Sequence, residues 1–165
     1  MQADLFNIAT KAATLSDCRN YRYSLSRTWN PDGKKITFIG LNPSTADEYQ
    51  DDPTIRRCIA FSQSWGGGSL WMINLFALRS TDPKSLYNAL DPVGPDNDHH
   101  IRFVLESSDI IVAAWGNHGS HLSRDKEVLE IAGGELLALS ITKAGMPGHP
   151  LYLPKNSLLT RYPRL

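Results

Sequence analysis

The stretch Ile36-Thr37-Phe38-Ile39-Gly40-Leu41-Asn42-Pro43-Ser44 decides the fold, because an apolar run ends there in a sharp polar turn. Residues 36–39 read as a strand, and Gly40 lets the backbone turn where that strand ends. Pro43 fixes its own φ angle and stiffens the turn. Asn42 is therefore held at the carboxyl end of a predicted sheet strand, where open α/β sheets bind ligands. The alternative is an ordinary strand-to-loop turn, since Asn-Pro is common in turns.

Further apolar runs have the composition of buried strands, at residues 70–76, 109–115 and 135–141. Segments with helical apolar spacing separate them and predict helices from Pro53 to the glycines at 66–68, over 95–107 and over 120–132. This alternation predicts an α/β fold of three layers, α/β/α, around a central, mainly parallel sheet. Because successive parallel strands end on one side, a single edge should collect Asn42, Asn74, Gly116 and the 142–150 loop.

The N-terminal third completes the predicted elements. Residues 2–13 read as a short helix, and residues 21–26 alternate between apolar and polar in the manner of a strand. The turn sequence at 30–33 predicts that the next run, 35–41, pairs back on that strand as a hairpin. Asp52-Pro53 fits a helix N-cap followed by proline at the first helical position.

Composition places the chain among globular proteins. With 165 residues, 41% of them apolar and 21% charged, it is long enough for one core, and we predict a single domain over residues 1–165. No apolar run is long enough to span a membrane, and no secretory signal opens the sequence. Cys18 and Cys58 fit buried thiols of a reducing compartment, or one disulfide bridge. We therefore expect a cytoplasmic monomer with no membrane partner.

Charge is balanced overall but unevenly distributed along the chain. The formal net charge is zero, which counts against a general nucleic-acid binder. From Leu136 onward there is no acid, so a local basic face is compatible with neutrality. Its members are Lys143, Lys155, Arg161 and Arg164. An acidic loop, either solvated or cation-binding, follows Asn42 and contains Asp47, Glu48, Asp51 and Asp52.

Short motifs converge on the predicted sheet edge, namely the 40–44 turn, Met72-Ile73-Asn74, Trp115-Gly116-Asn117-His118 and Gly148-His149-Pro150. In order and spacing they resemble the uracil-DNA glycosylase superfamily, most closely its mismatch-specific uracil/thymine branch, over about residues 35–155. The resemblance implies an α/β/α domain of the uracil-DNA glycosylase type. The chain also resembles, over nearly its whole length, the uncharacterised domain of unknown function 1643 family.

The superfamily resemblance assigns roles to three residues. Asn42 falls on the residue that positions water, Asn74 on the amide that reads a pyrimidine edge, and His149 on an electrophilic imidazole. There are also departures: Ser44 stands where the mismatch branch has glycine, and Leu-Tyr-Leu-Pro follows His149-Pro150 in place of Ser-Pro-Leu. With the acidic loop, these departures predict a target other than plain uracil. The four cluster cysteines of the iron–sulfur branches are absent, and we expect no metal and no cofactor.

The chemistry explains these residue types. Cleavage of an N-glycosidic bond passes through a cationic sugar and an anionic leaving base, to which His149 is suited to donate a hydrogen bond. The Asn42 carbonyl is suited to hold water against the sugar, and Asp52 is the stronger base if its loop folds back over the site. Asn74 offers a donor and an acceptor to a base edge. The other assigned residues are base contacts at Ser44, Phe76 and Trp115, wedge residues at Leu151 and Tyr152, and phosphate contacts at Lys143, Lys155 and Arg161.

The sequence therefore predicts a hydrolase, a monofunctional DNA glycosylase that acts on a flipped, modified pyrimidine. Acids near the site suit a hydroxymethyl or sugar substituent, and hypermodified phage DNA would be the setting. Two alternatives stay open, a hydrolase of free nucleosides or nucleotides and a non-catalytic module that recognises a modified base. There is also a purely structural alternative for two of these residues. Asn74 would then only cap the end of its strand, and His149 would be a turn residue with no chemical role.

Overall fold

The computed structural model describes residue 8 and residues 10–163, and one mixed sheet runs through them. Its strands are β1 (Thr10–Leu15), β2 (Arg22–Thr28), β3 (Lys34–Gly40), β4 (Gly67–Asn74), β5 (Ile110–Ala113), β6 (Leu136–Ala138) and β7 (Thr160–Tyr162), in the order β1-β2-β4-β3-β5-β6-β7. The inner strands β4, β3, β5 and β6 are parallel. The outer strands pair antiparallel. The predicted α/β class with a mainly parallel centre is confirmed.

Helices cover both faces of this sheet. They are α1 (Pro53–Ser64), α2 (Ser85–Asn88), α3 (Asn97–Glu106) and α4 (Arg124–Ile131), with 3-10 turns at Asn117–Ser123 and Pro150–Tyr152. Alternate residues of a strand face opposite sides. Ile39 packs with Ile101 of α3 in one hydrophobic cluster, whereas Phe38 packs with Ile55 of α1 in the other. Burial on both faces explains why the inner strands read as continuous apolar runs. Within the described residues no helix is long and apolar enough to cross a bilayer.

The predicted hairpin between residues 21–26 and 35–41 is wrong, because β4 lies between these two strands. The connection from β2 to β3 instead crosses the start of β4. There the backbone amides of Trp29 and Asn30 both donate to the carbonyl of Gly68. A Cβ atom on Gly68 would lie 2.1 Å from the Asn30 carbonyl oxygen, so glycine permits the crossing. The glycines after α1 therefore serve the sheet as well as ending the helix.

The helix predicted over residues 2–13 is wrong where the structure describes it. Residues 10–13 belong to β1, which pairs antiparallel with β2 along the edge of the sheet. Ile8 is not helical, and the other residues of that prediction lie outside the described part of the chain. Pairing with β2 decides the conformation here, because strand formation depends more on neighbours than on local preference.

The two cysteines are unpaired and differ in exposure. Cys58 is fully buried on the core side of α1, and Cys18 is exposed in the turn before β2. The disulfide alternative is therefore wrong, and only Cys58 is the buried thiol that the sequence predicted.

Candidate functional site

A cleft of about 570 Å³ opens where β3, β4 and β5 end. Most of the predicted site residues line it: Asn42, Ser44, Asp52, Asn74, Trp115, His149, Leu151 and Tyr152. The chain thus brings together the turn after β3, the end of β4 and the late His-Pro segment, although they are far apart in the sequence. The geometry of each side chain then determines what the cleft can bind.

The amide of Asn42 is oriented by its surroundings. Its Nδ2 donates to the backbone carbonyls of Pro43, Leu78 and Ser80, at 3.1, 3.3 and 2.9 Å. Because carbonyls only accept, these bonds fix which side of the amide carries the oxygen. Oδ1 accepts no hydrogen bond from any described residue. That oxygen is therefore available to a water molecule or a substrate hydroxyl in the cleft.

Asn74 lines the cleft and has a buried amide nitrogen without a partner among the described residues. The residue is only 3% exposed, and within the described part of the chain its Nδ2 has no hydrogen-bond partner. Its backbone is fixed, because its carbonyl accepts from Nδ2 of Asn97 at 3.1 Å. A buried unpaired donor costs about 1–3 kcal/mol, so an amide left this way at a cleft wall points to a ligand that completes it.

His149 is held as a neutral imidazole with a defined tautomer. Its Nδ1 accepts from the backbone amide of Leu151 at 3.2 Å, so the proton of the neutral ring lies on Nε2. Burial lowers the pKa of His149 from its ordinary value, against an opposing effect of the Asp52 carboxylate. A Cβ atom on Gly148 would lie 2.0 Å from Oγ of Ser140, so glycine lets this segment pack closely beside the cleft. The ring is thus prepared to donate one hydrogen bond.

Asp52 reaches the cleft and also holds its walls together. Its Oδ1 caps α1 by accepting from the amide of Ile55 at 2.9 Å, as the sequence predicted. Its Oδ2 accepts from the amide of Ala46 at 3.3 Å. The loop before α1 therefore does fold back over the site, which is the condition for the catalytic role predicted for Asp52.

Arg22 is a cleft residue that the sequence interpretation missed. The side chain is almost fully buried, yet it lines the cleft. Its Nη1 donates to the carbonyl of Ala46 at 2.9 Å, and its Nε has no partner among the described residues. Burial lowers the pKa of Arg22 to about 10, against the opposing effect of Asp52, so the group stays charged at neutral pH. In the alternating pattern of residues 21–26, Arg22 is one of the polar positions, which are expected to face solvent. A charged residue inside a sheet strand was the only sequence signal that could have indicated its role in the cleft.

Arginines organise the acidic loop. The fully buried Arg27 pairs with Asp51 at 2.7 Å and donates to the carbonyl of Asp47 at 2.6 Å. Arg19 pairs with Glu48 at 2.8 Å. Among the described residues, no three His, Cys, Asp or Glu side chains converge as a metal site. The acids of this loop therefore bind arginines and backbone amides. The sequence had suggested either a solvated loop or a cation-binding loop, and this arrangement is neither.

The two aromatic residues predicted to stack on a base lie in different places. Trp115 lines the cleft, and its ring meets Tyr162 edge-on with centroids 5.5 Å apart. Phe76 is wrong as a base contact, because its side chain is fully buried in the core beside His121 and does not line the cleft. β4 ends at Asn74, and beyond it the chain turns into the core.

Leu151 and Tyr152 occupy the rim of the cleft. Both are exposed, and both belong to the 3-10 turn that follows His149. Asn117 and Thr142 also line the cleft, where Asn117 accepts from the hydroxyl of Thr142 at 2.7 Å. The lining of the cleft therefore includes both exposed apolar side chains and polar groups.

The predicted phosphate contacts lie outside the cleft. Lys143 and Lys155 are exposed, and Arg161 on β7 pairs with Glu135 at 2.6 Å. None of the three lines the cleft, and Arg164 falls outside the described residues. Arg161 lies in a segment without acids, which had suggested that it is free to bind phosphate. Its ion pair with Glu135 makes it less suited to that role.

Comparison with known proteins connects the cleft to a family. A family model described as "Protein of unknown function (DUF1643)" matches residues 22–151, about four-fifths of the chain. Neither a curated protein nor a solved structure matches the sequence. The matched range contains every cleft-lining residue except Tyr152, so the cleft lies within the part that the family model describes.

Proposed function

We propose that this chain, which belongs to the DUF1643 family, is a DNA glycosylase that hydrolyses the N-glycosidic bond of a flipped, modified pyrimidine. The observation that carries the proposal is the buried amide nitrogen of Asn74, a cleft-lining residue, which has no partner among the described residues. An amide presents a donor and an acceptor side by side, as the edge of a pyrimidine does. An extruded base would supply the hydrogen bonds that the protein leaves unmade.

The proposal includes a fold of the uracil-DNA glycosylase type. Its support is that the 40–44 turn, Asn74 and His149 meet where the parallel inner strands of the sheet end, and that helices cover both faces of this sheet. Likeness of fold does not carry function by itself, so the chemistry has to be argued from the side chains.

Asn42 and His149 serve opposite ends of the reaction. The C1′–N bond breaks with both electrons moving to the base, and water adds to C1′. Asn42 Oδ1 holds that water by accepting a hydrogen bond from it, because its Nδ2 is already committed to carbonyls. The Nε2–H of His149 stabilises the base anion, which takes a proton from solvent as it leaves. Asp52 receives the proton of the attacking water, so the products are a free base and a sugar hydroxyl.

Hydroxyl groups define the proposed preference for a modified base. The cleft is lined by Ser44, Ser80, Thr81 and Thr142. Thr142 and Ser80 already donate to Asn117 and to the carbonyl of Asp82, so Ser44 and Thr81 are the side chains that suit the hydroxyls of a hydroxymethyl or sugar substituent. The acidic loop contributes less to this preference than the sequence suggested, because arginines engage Glu48 and Asp51. Defence against phage DNA with hypermodified bases is the role that this substrate implies.

A hydrolase of free nucleotides is the second candidate, and Arg22 favours it. A guanidinium buried in the cleft suits a phosphate or carboxylate close to the base. The predicted DNA contacts Lys143, Lys155 and Arg161 do not line the cleft. In that case a monomer, and not a flipped residue of a strand, enters the site.

Mass spectrometry of released bases tests both candidates. Duplex and single-stranded DNAs with uracil, thymine, hydroxymethylated or glycosylated pyrimidines, and the matching nucleotides, are incubated with the wild type and with Asn74→Ala. The matched control is Asn88→Ala, an exposed amide on α2 outside the cleft. Release of the target base from DNA by the wild type and the control, with a reduced preference for the target base in Asn74→Ala, supports the glycosylase. Release from nucleotides alone supports the second candidate, and binding of modified DNA without release supports a recognition module.

A further inference from the structure

A second cavity, here called the side groove, adjoins the cleft. It measures about 380 Å³, and its lining includes Arg19, Asn20, Ser44, Arg79, Ser80 and Thr81. Ser44, Ser80 and Thr81 also line the cleft, so the two cavities meet at three hydroxyl groups. A bound molecule that extends from one cavity into the other would pass these three residues.

The side groove has a one-sided charge. Arg19 and Arg79 line it, and no carboxylate of the described part of the chain does. Arg79 donates to the backbone carbonyls of Ser44, Thr45 and Arg19 at 3.4, 3.5 and 3.3 Å, and it makes no ion pair with any described residue. Arg19 pairs with Glu48, but its side chain stays 49% exposed. The groove thus keeps positive charge that the protein neutralises only in part.

Arg22 adds to this charge from the cleft side. It donates to the carbonyl of Ala46, directly after the segment that Arg79 holds. Burial is the main cause of the lowered pKa of Arg22, and the positive charge of Arg79 adds to it. Neither guanidinium makes an ion pair within the described residues. The carboxylate of Asp52 offsets part of the charge of Arg22, and an anion placed near both guanidiniums would offset more of it.

We propose that the side groove binds a phosphate of the substrate, one joined to the nucleotide whose base occupies the cleft. This inference rests on the proposed function, which puts the base there. Guanidinium forks bind phosphate oxygens in pairs, and the hydroxyls of Ser44 and Thr81 donate to the remaining oxygens, whereas the hydroxyl of Ser80 already donates within the protein. The backbone of the substrate then enters beside Arg79 and not along the C-terminal basic segment.

Titration calorimetry with inorganic phosphate tests the groove in the intact protein, with sodium chloride at equal ionic strength as the blank. Asn20→Asp adds a negative charge to the groove at nearly constant size, and Asn20 does not line the cleft. We expect phosphate binding to weaken about tenfold, because a like charge opposes the ligand. Asn88→Asp, at an exposed site outside both cavities, should bind as the wild type does. Equal binding by the wild type and Asn20→Asp overturns the proposal.

Arg79→Gln tests the same site by removing its main charge. We expect it to abolish detectable phosphate binding, whereas Arg102→Gln, on the exposed side of α3, leaves binding unchanged. Thermal unfolding of each variant identifies any loss of fold. If Arg79→Gln does not fold, Asn20→Asp, which removes no contact of Arg79, still tests whether the side groove binds phosphate. Unchanged phosphate binding by folded Arg79→Gln also overturns the proposal.

Nucleotide ligands separate this inference from the proposed function. The affinity for thymidine monophosphate is compared with the affinity for thymidine. A short thymidine oligonucleotide is also titrated, and it shows whether the bound phosphate comes from a strand or from a monomer. If no base is released, yet the monophosphate binds better than thymidine and Asn20→Asp removes that preference, the phosphate site stands and the glycosylase fails. If base is released with equal kcat/KM by the wild type and Asn20→Asp, the glycosylase stands and the phosphate site fails.

Discussion

The Oδ1 atom of Asn74 lies 2.6 Å from the point that a Cβ atom on Gly40 would occupy. The two residues are direct partners across β3 and β4. Gly40 is not among the glycines with positive φ, so space, and not backbone freedom, is the reason for glycine here. β3 therefore ends in glycine because this position must leave room for the amide of Asn74 on the neighbouring strand.

Gly40→Ala should destabilise the fold and impair the site together. We expect the free energy of unfolding to fall by about 1–3 kcal/mol, because the added methyl group overpacks two paired strand ends. Base release should fall too, since Asn74 is displaced. Urea denaturation measures the first effect. In an Asn74→Ala background, Gly40→Ala should lower the free energy of unfolding by less. Equal decreases in both backgrounds would contradict the close approach of residue 40 to the Asn74 side chain.

Asn42→Ala and Asn74→Ala should separate catalysis from recognition. Asn42→Ala removes the acceptor for water, so base release should slow while binding of DNA with the target base is largely spared. Asn74→Ala should reduce discrimination between target and ordinary bases by about 1–3 kcal/mol, because the base edge loses its hydrogen-bond partner. Single-turnover kinetics and competition binding measure the two quantities. Identical effects of the two variants would show that the roles are not separate.

Acid should weaken the fold through His149. Burial lowers its pKa in the folded state, so the unfolded chain, with an ordinary histidine pKa of about 6.5, takes up the proton first. The stability that this group contributes is complete above about pH 6.5 and is lost as the pH falls towards the folded-state pKa. Protonation of Nδ1 also breaks the bond from the amide of Leu151 and should slow base release.

Denaturation of the wild type and His149→Gln at several pH values checks this expectation. The difference between the two curves isolates His149, because His100, whose pKa burial also lowers, is present in both proteins. The variant should show the flatter pH dependence. If the stability of the wild type depends on pH as little as that of the variant, the assignment of a neutral His149 with a lowered pKa is wrong.

Asp52→Ser and Asp52→Ala should separate a helix cap from a proton acceptor. Serine still accepts from the amide of Ile55, whereas alanine loses the cap and should lower the free energy of unfolding by about 1 kcal/mol. Neither side chain has a carboxylate, so both variants should lose base release. Thermal unfolding and the release assay measure these effects, and full base release by Asp52→Ser would limit Asp52 to its structural role.

The parallel centre of the sheet could be predicted from apolar patterning. Runs buried on both faces leave a continuous apolar signature, so the segments that became β3, β4, β5 and β6 were recognisable. Parallel strands end on one side, and for this reason Asn42, Asn74 and His149 were expected at one edge, where the structure brings them together.

Strand partners and charge partners could not be predicted in the same way. β2 pairs with β4 and not with β3, because the neighbour of a strand is decided by contacts with distant segments. Alternation along β2 assigned Arg22 to the polar face. Its burial depends on the carbonyl of Ala46 and the charge of Asp52, both contributed by the loop before α1.

The unequal exposure of the two cysteines gives this protein one addressable thiol. Burial raises the pKa of Cys58 and keeps its thiol protonated inside the core. Cys18 is exposed, and its hydrogen bond with Ser16 lowers its pKa, so a thiol-directed label should attach there first. Cys18 immediately precedes Arg19, which lines the side groove. A fluorophore on the native sequence would therefore sit beside the groove and report its occupancy without any engineered residue.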